Sequence, residues 1–450
     1  MKIGIKGFKS IKNIKDFSIK DINLLAGENS SGKSSLTQAL LLLKQTIESD
    51  SKELLKLNGP YVYADKLLEL LYRKQKSTFL EYNLSFNRED IITYFNIEFF
   101  EKFIKSSYIK EIRLHIVFQA NGGTHLQNFE ISLISEEEKE SFLFIKRNKN
   151  SNANIFQVYA SSYYFLGLWD ENSDKKIKLN KCTLEFSNFL PSFGECKAAN
   201  TNITLFKLPI IIGINELLRN ILSNIYYISP IRVKPVLWKT YETTPSINKI
   251  EPDGNNTRFV LAENKNLILN DNKSLLEAIN YWVFDKLQLA KDIQTTKNSN
   301  QLYRTQLHIA NNLSIDLCHM GFGISQILPI IIQGLMLPEN GIFIVEDPCV
   351  HMHPSIQAKM MDFFLEMNKI GNRKIIIETH SDHIVTRLRR RIAEGLDASS
   401  VNLIFVELSE EGSIYQKIDV TKQGAFYKSL PKGFLDTSDE DFRAILKARI

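Results

Sequence analysis

Cysteine is scarce in this chain of 450 residues: there are four, Cys182, Cys196, Cys318 and Cys349, and they lie far apart. No C-x-x-C pair occurs, so neither a zinc site nor a disulfide framework is suggested. Long apolar runs are missing too. The most hydrophobic stretches are short and interrupted, and none approaches the ~20 residues that span a bilayer as a helix. The N-terminus opens Met1-Lys2-Ile3-Gly4 without the apolar segment of a secretory leader. A cytoplasmic, reducing location is the simplest expectation. No heptad pattern lasts the ~3–4 heptads of a coiled coil, and no fixed-period repeat occurs. A strong charge of one sign is also absent. The net charge of +5 does not by itself argue for nucleic acid.

What is present is a globular balance, 44% hydrophobic and 24% charged, long enough for about two or three domains with sizeable cores. Two local cationic clusters stand out: Lys2, Lys6, Lys9, Lys12, Lys15 and Lys20 against Asp16, and Arg387-Leu388-Arg389-Arg390-Arg391. On a helix, Arg387, Arg390 and Arg391 share a face. That face is either a patch for DNA phosphates or an acidic partner, or a solvated helix surface.

Gly27-Glu28-Asn29-Ser30-Ser31-Gly32-Lys33-Ser34 satisfies G-x-x-x-x-G-K-[ST] at every fixed position. The apolar run Ile22–Ala26 reads as the strand before it, and Ser35–Leu43 as the helix after it. Glycines let successive N–H groups converge on one anion, and the positive end of the helix adds to the attraction. Lys33 then reaches the β- and γ-phosphates, and the Ser34 hydroxyl is placed to ligate Mg²⁺.

A second segment, Ile342-Phe343-Ile344-Val345-Glu346-Asp347-Pro348, is a buried strand ending in paired acids, the shape of a Walker B motif. Order along the strand assigns Glu346 to the metal and Asp347 to the attacking water. Ile375-Ile376-Ile377-Glu378-Thr379-His380-Ser381 ends a further strand, expected beside the first. His380 there is a candidate contact for the γ-phosphate or the water, as a neutral imidazole, or a helix-capping surface residue. Gly321-Phe322-Gly323-Ile324-Ser325-Gln326 opens a helix whose N–H groups and Ser325 hydroxyl make a second anion site. This site does not easily share one phosphate with the first loop within a single subunit. His351-Met352-His353-Pro354 lacks an evident third ligand and reads as a proline-terminated turn rather than a metal site.

Residues 51–225 between these motifs hold short strand-like runs at Thr78–Ser85, Glu111–Gln119, Phe129–Ser135 and Phe142–Lys146, a polar loop at Asn148–Asn154, and a helix running up to Ile225. After residue 226, a helix over 273–290 and a strand pair over 303–318 precede helices at 323–336, 355–369 and 382–395. Strand–helix alternation there implies a parallel sheet.

Together these motifs resemble ABC-type ATPase heads, the branch with SMC proteins, RecF and overcoming-lysogenisation-defect nucleases. The similarity is strongest to the stand-alone bacterial AAA-type ATPases of anti-phage operons, such as the ATPase subunit of Septu-like systems. It rests on Gly27–Ser34, Leu57-Asn58-Gly59, Tyr227–Arg232, Gly321–Gln326, Val345–Pro348 with His351–Pro354, Glu378–Ser381, Leu388–Ile392 and Pro431–Asp436. Cys349 stands where the family usually has an acid. The resemblance implies an α/β fold: a P-loop head with a parallel core sheet, an antiparallel β lobe and a helical insertion. Its expected divisions are 1–50 (first part of the head), 51–225 (insertion), 226–400 (second part of the head) and 401–450 (C-terminal subdomain). The expected ligands are ATP and Mg²⁺, with Gly27 to Ser35 on the nucleotide and Gly323, Ser325 and Gln326 approaching it from a second protomer. The expected assembly is a homodimer or higher homo-oligomer controlling a separate effector, a nuclease. The alternatives are a DNA-clamping repair ATPase and an ATP-binding scaffold without turnover. About 70 residues follow His380, too few for a nuclease domain of ~100 residues, so intrinsic DNA cleavage is not expected.

Overall fold

A computed structural model describes residues 1–94, 109–135, 140–147, 155–161, 176–198, 201–204, 209–241, 245–269, 272–309 and 313–427, with 444, 445 and 447. The chain forms two compact units. One comprises Met1–Ile19, Ser35–Ser223 and Leu408–Ile414; the other comprises Lys20–Ser34, Asn224–Glu407 and Tyr415–Ile450. No helix among the described residues is long and apolar enough to cross a membrane.

The first unit is built on an antiparallel sheet. Its strands are β1 (Lys2–Phe8), β2 (Ile11–Ser18), β4 (Phe79–Asn87), β5 (Ile109–Ala120), β6 (Thr124–Ser135), β7 (Glu140–Arg147), β8 (Ile155–Ser161), β9 (Lys176–Ser187), β10 (Leu190–Ala198) and β11 (Thr201–Thr204). They lie in the order β11-β10-β9-β8-β7-β6-β5-β4-β1-β2. In β4 every second side chain is buried, Leu80, Tyr82, Leu84 and Phe86, as a sheet with one covered face requires. The Tyr82 hydroxyl donates to the Ala39 carbonyl at 3.0 Å. The strands expected near Thr78, Glu111, Phe129 and Phe142 are present, and β8 to β11 extend the sheet further. Residues 148–154 and 431–436 lie outside the described residues. Cys182, on β9, is disulfide-bonded, which corrects the expectation drawn from cysteine spacing. Spacing in the sequence alone does not report which cysteines the fold brings together.

The second unit holds β3 (Ile22–Gly27), β12 (Ile225–Ile228), β16 (Ile342–Glu346), β17 (Lys374–Thr379), β18 (Val401–Ser409) and β19 (Gly412–Lys417), in the order β12-β16-β17-β3-β18-β19. From β12 to β18 the neighbours run parallel. The sheet thus draws strands from both parts of the sequence. Its strands read as continuous apolar runs because both faces are covered, and every residue of β16 is buried. Asn23 is a polar exception with its amide fully used. Its Nδ2 donates to the carbonyls of Lys20 and Ile375, and its Oδ1 accepts from Asn402 Nδ2 at 2.9 Å. These bonds tie β3 to both neighbours. The packed helices are Phe322–Leu335, Pro354–Gly371 and Asp382–Ala393. Trp282 meets Phe363 edge-to-face, with centroids 5.0 Å apart, and burial of each such ring contributes about 1.5–3 kcal/mol. The helix expected over 273–290 is an α-turn at Leu275–Asn280 that passes into a π-helical turn at Tyr281–Lys286. The hairpin β13 (Asp292–Lys297) and β14 (Tyr303–His308) adds the short β15 (Ser314–Asp316).

Candidate functional site

The loop Gly27–Ser34 leaves the C-terminal end of β3 and enters a helix at Lys33. Gly27 has φ +146°, and a Cβ there would fall 2.1 Å from the Val406 carbonyl oxygen of β18, so only glycine fits. The Lys33 ammonium is buried and folds over its own loop, donating to the carbonyls of Gly27 (3.0 Å) and Glu28 (2.6 Å). Burial pulls its pKa down, opposed by Glu378, Asp347 and Glu346. From β19, the Tyr415 hydroxyl donates to the Gly32 carbonyl at 2.6 Å and fixes the far side of the loop. The Ser35 hydroxyl bonds Ser10 Oγ at 2.8 Å.

The two acid-bearing strand ends meet this loop. Parallel pairing sets Glu346 opposite Glu378 and Glu378 opposite Leu25. Neighbouring strands are ~4.8 Å apart, so the register itself gathers the carboxylates beside the loop. The Ser34 hydroxyl donates to Glu378 Oε1 at 2.6 Å, and Glu378 Oε2, buried, has no hydrogen-bond partner. Burial, reinforced by the charges of Glu346 and Asp347, pushes the Glu378 carboxyl up to about 8, with Ser34 and Lys33 opposing. Tyr227, on β12, hydrogen-bonds Glu346, and burial first and that carboxylate second hold its phenol above the ordinary range.

Asp347 sits at φ +40°, an uncommon conformation for a residue with a side chain. Its N–H donates to the Glu378 carbonyl at 2.8 Å. Arg232 Nη2 donates to the carbonyls of Glu346 (2.9 Å) and Asp347 (3.2 Å). The turn is thereby held from both sides, and the buried guanidinium falls to about 10 through desolvation. His380 follows β17 at the strand end beside the loop. Burial and then Lys33 lower its pKa, which keeps the imidazole neutral near pH 7.

A phosphate cradle, a strand-end acid pair and a histidine at one sheet edge is the layout of a P-loop ATPase. A family model for the AAA ATPase domain matches residues 1–385. The chain belongs to the AAA ATPase domain family. No curated protein matches it. Among solved structures, it is similar to an SMC head bound to the C-terminal winged-helix domain of ScpA (TM-score 0.48, 13% identity, 93% of this chain and 97% of that one). It is also similar to an SMC head with an extended coiled coil bound to the C-terminal domain of ScpA, derived from Pyrococcus furiosus (0.46, 11%, 100% and 99%). A third is the SMC head from Thermotoga maritima (0.36, 10%, 93% and 98%).

In this AAA ATPase the residues gathered at one place are Lys33, Ser34, Glu346, Asp347, Glu378 and His380. Gly323, Ser325 and Gln326 are not among them. Gly323 faces the Met352 sulfur. Ser325 lines a separate cavity of about 350 Å³ with Lys234, Asp253, Arg258 and Pro329, whose lining includes no residue of the loop or of the acid strand ends. Buried Gln326 Nε2 has no partner. His353 caps the Pro354–Gly371 helix, its Nδ1 accepting from the Ser355 N–H, and no metal-holding group of three or more His, Cys, Asp or Glu occurs among the described residues. The arginine face is largely paired with acids: its three arginines share two carboxylates, Asp362 and Glu394. Arg387 and Arg391 both donate to Asp362 at 2.7 Å, and Arg390 and Arg391 donate to Glu394.

The Ser34 hydroxyl, two buried carboxylates and an unpartnered carboxylate oxygen form a hard, all-oxygen donor set of the kind Mg²⁺ takes. The candidates to hold it directly are Ser34 and Glu346, with Glu378 hydrogen-bonded to Ser34 beside them. Sequence reasoning missed Glu378, Arg232 and Tyr415. Glu378 carried a visible signal, an acid ending an apolar strand two residues before His380.

Proposed function

We propose that this AAA ATPase binds and hydrolyses Mg-ATP at Gly27–Ser34, Glu346, Asp347 and His380, and that nucleotide state controls its association with a second copy. The observation that carries the reading is the convergence of Lys33, Ser34 and the acids of β16 and β17 at the C-terminal edge of one parallel sheet. Lys33 and the loop N–H groups hold the phosphates. Mg²⁺, when bound, neutralises the β- and γ-phosphoryl oxygens. Asp347, held in its turn by Arg232 and the Glu378 carbonyl, orients the attacking water, and neutral His380 meets the γ-phosphate side. Ser325 and Gln326 serve a second subunit's nucleotide. Control of a separate effector, a nuclease in anti-phage defence, is supported by the motif resemblance.

The test is Asp347→Asn. The variant keeps ATP affinity, hydrolyses roughly 10²-fold more slowly, and shows by light scattering an ATP-bound assembly that persists. Hydrolysis at the wild-type rate overturns the role of Asp347. An unchanged mass with ATP in both proteins overturns nucleotide-driven association.

A further inference from the structure

Glu378 stands outside the two motifs that define the proposed site, yet it is the side chain that connects them. It lies on β17, between the strand that carries Glu346 and the strand that feeds the loop. Its Oε1 accepts a hydrogen bond from the Ser34 hydroxyl at 2.6 Å, its Oε2 is buried without a partner, and the residue is 5% exposed. A hydroxyl whose proton is committed to a carboxylate has only lone pairs left to offer. A buried carboxylate oxygen without a donor is expensive unless a ligand supplies one.

We propose that Glu378 is a positioning acid of the Mg-nucleotide site, fixing the Ser34 hydroxyl with its lone pairs toward the metal and receiving a metal-bound water on Oε2. The assignment rests on the nucleotide reading above. Mg²⁺ keeps several of its waters and relies on outer partners to orient them. A lone Ser34 hydroxyl rotates freely; tied to Glu378 it has one direction. Register supplies the rest, because pairing with Glu346 puts the two carboxylates on adjacent strand ends.

The experiment is Glu378→Gln, with affinity for a fluorescent ATP analogue measured in excess Mg²⁺ and again in EDTA. Loss of an outer partner typically weakens metal affinity 10–100-fold. The expected result is an affinity about tenfold weaker in Mg²⁺ and unchanged in EDTA, where no metal is present for Glu378 to position. Electron paramagnetic resonance with Mn²⁺ in place of Mg²⁺ gives a matching loss of bound metal in the nucleotide complex. Equal weakening in Mg²⁺ and in EDTA means a disturbed loop and overturns the proposal, as does no change in either. Glu378→Asp, which withdraws the carboxylate by one methylene, gives the same split if the glutamine variant does not fold. Wild-type protein that binds no nucleotide in either condition overturns the nucleotide reading itself, and this assignment with it.

Discussion

Replacing Lys33 tests the loop twice, once without nucleotide and once with it. The ammonium, 3% exposed, makes two hydrogen bonds to loop carbonyls and faces the field of Glu378, Asp347 and Glu346. Charge-assisted bonds contribute about 1.5–3 kcal/mol each, and the low end applies here because the Glu28 end of the loop is open to water. Lys33→Ala also removes three buried methylenes, about 0.8 kcal/mol apiece. Relief of the ammonium's own desolvation offsets part of this, leaving a net loss on the order of 2–3 kcal/mol. Lys33→Met retains the apolar stem and isolates the charge, with an expected loss of about 1–2 kcal/mol. Urea unfolding without nucleotide measures both. With nucleotide, each variant loses the cation aimed at the terminal phosphates, and ATP affinity falls at least about 10–100-fold. Wild-type ATP affinity in Lys33→Met refutes the phosphate cradle. Undiminished stability in Lys33→Ala refutes the claim that the ammonium organises the loop.

Ser325→Arg places a bulky cation in the cavity that Ser325 lines, and it blocks ATP-dependent association while a single subunit still binds nucleotide; normal assembly by light scattering rules this face out as an interface. Truncating Arg387 and Arg391 together leaves Asp362 unpaired and lowers stability by about 1–2 kcal/mol, with duplex-DNA affinity unchanged; a salt-sensitive fall in DNA binding shows the face to be a phosphate patch after all. His115 lies 3.8 Å from Glu130 and 3.5 Å from Glu81, which raise its pKa. A raised pKa means the contribution is present below the unfolded value of about 6.5 and fades as pH climbs through the folded value, so His115→Gln lowers stability by about 0.5 kcal/mol at pH 5.5 and not at pH 9. Equal effects at both pH values show that the ring acts by packing.

The parts of the site that depend on local spacing were legible in the sequence. The loop pattern, the apolar strands ending at Glu346 and Thr379, and their alternation with helices follow from short-range rules. What depends on register was not. Glu378 acquires its meaning only when β17 is set between β16 and β3, and Arg232 only when its guanidinium reaches carbonyls of residues more than a hundred positions away. The arginine face looked available because its neutralising partner, Asp362, sits on a different helix. Strand β9 escaped notice although Lys176-Ile177-Lys178-Leu179-Asn180 alternates; the alternation slips at Asn180-Lys181, where its register with β8 shifts.

The position of β3 has a consequence for how the protein is made. Its two neighbours, β17 and β18, begin about 350 residues or more after Gly27. During synthesis at ~5–20 residues per second, β3 waits roughly 20 to 70 seconds before either edge is covered. Pairings this distant in sequence also close slowly, because a long loop must be ordered before any contact compensates it. The antiparallel strands, all made by residue 204, have neighbours available well before that. The sheet around the phosphate loop is therefore completed late, and a chain released after Ser34 but before β16 carries the whole phosphate loop with none of Glu346, Asp347 or Glu378 to set against it.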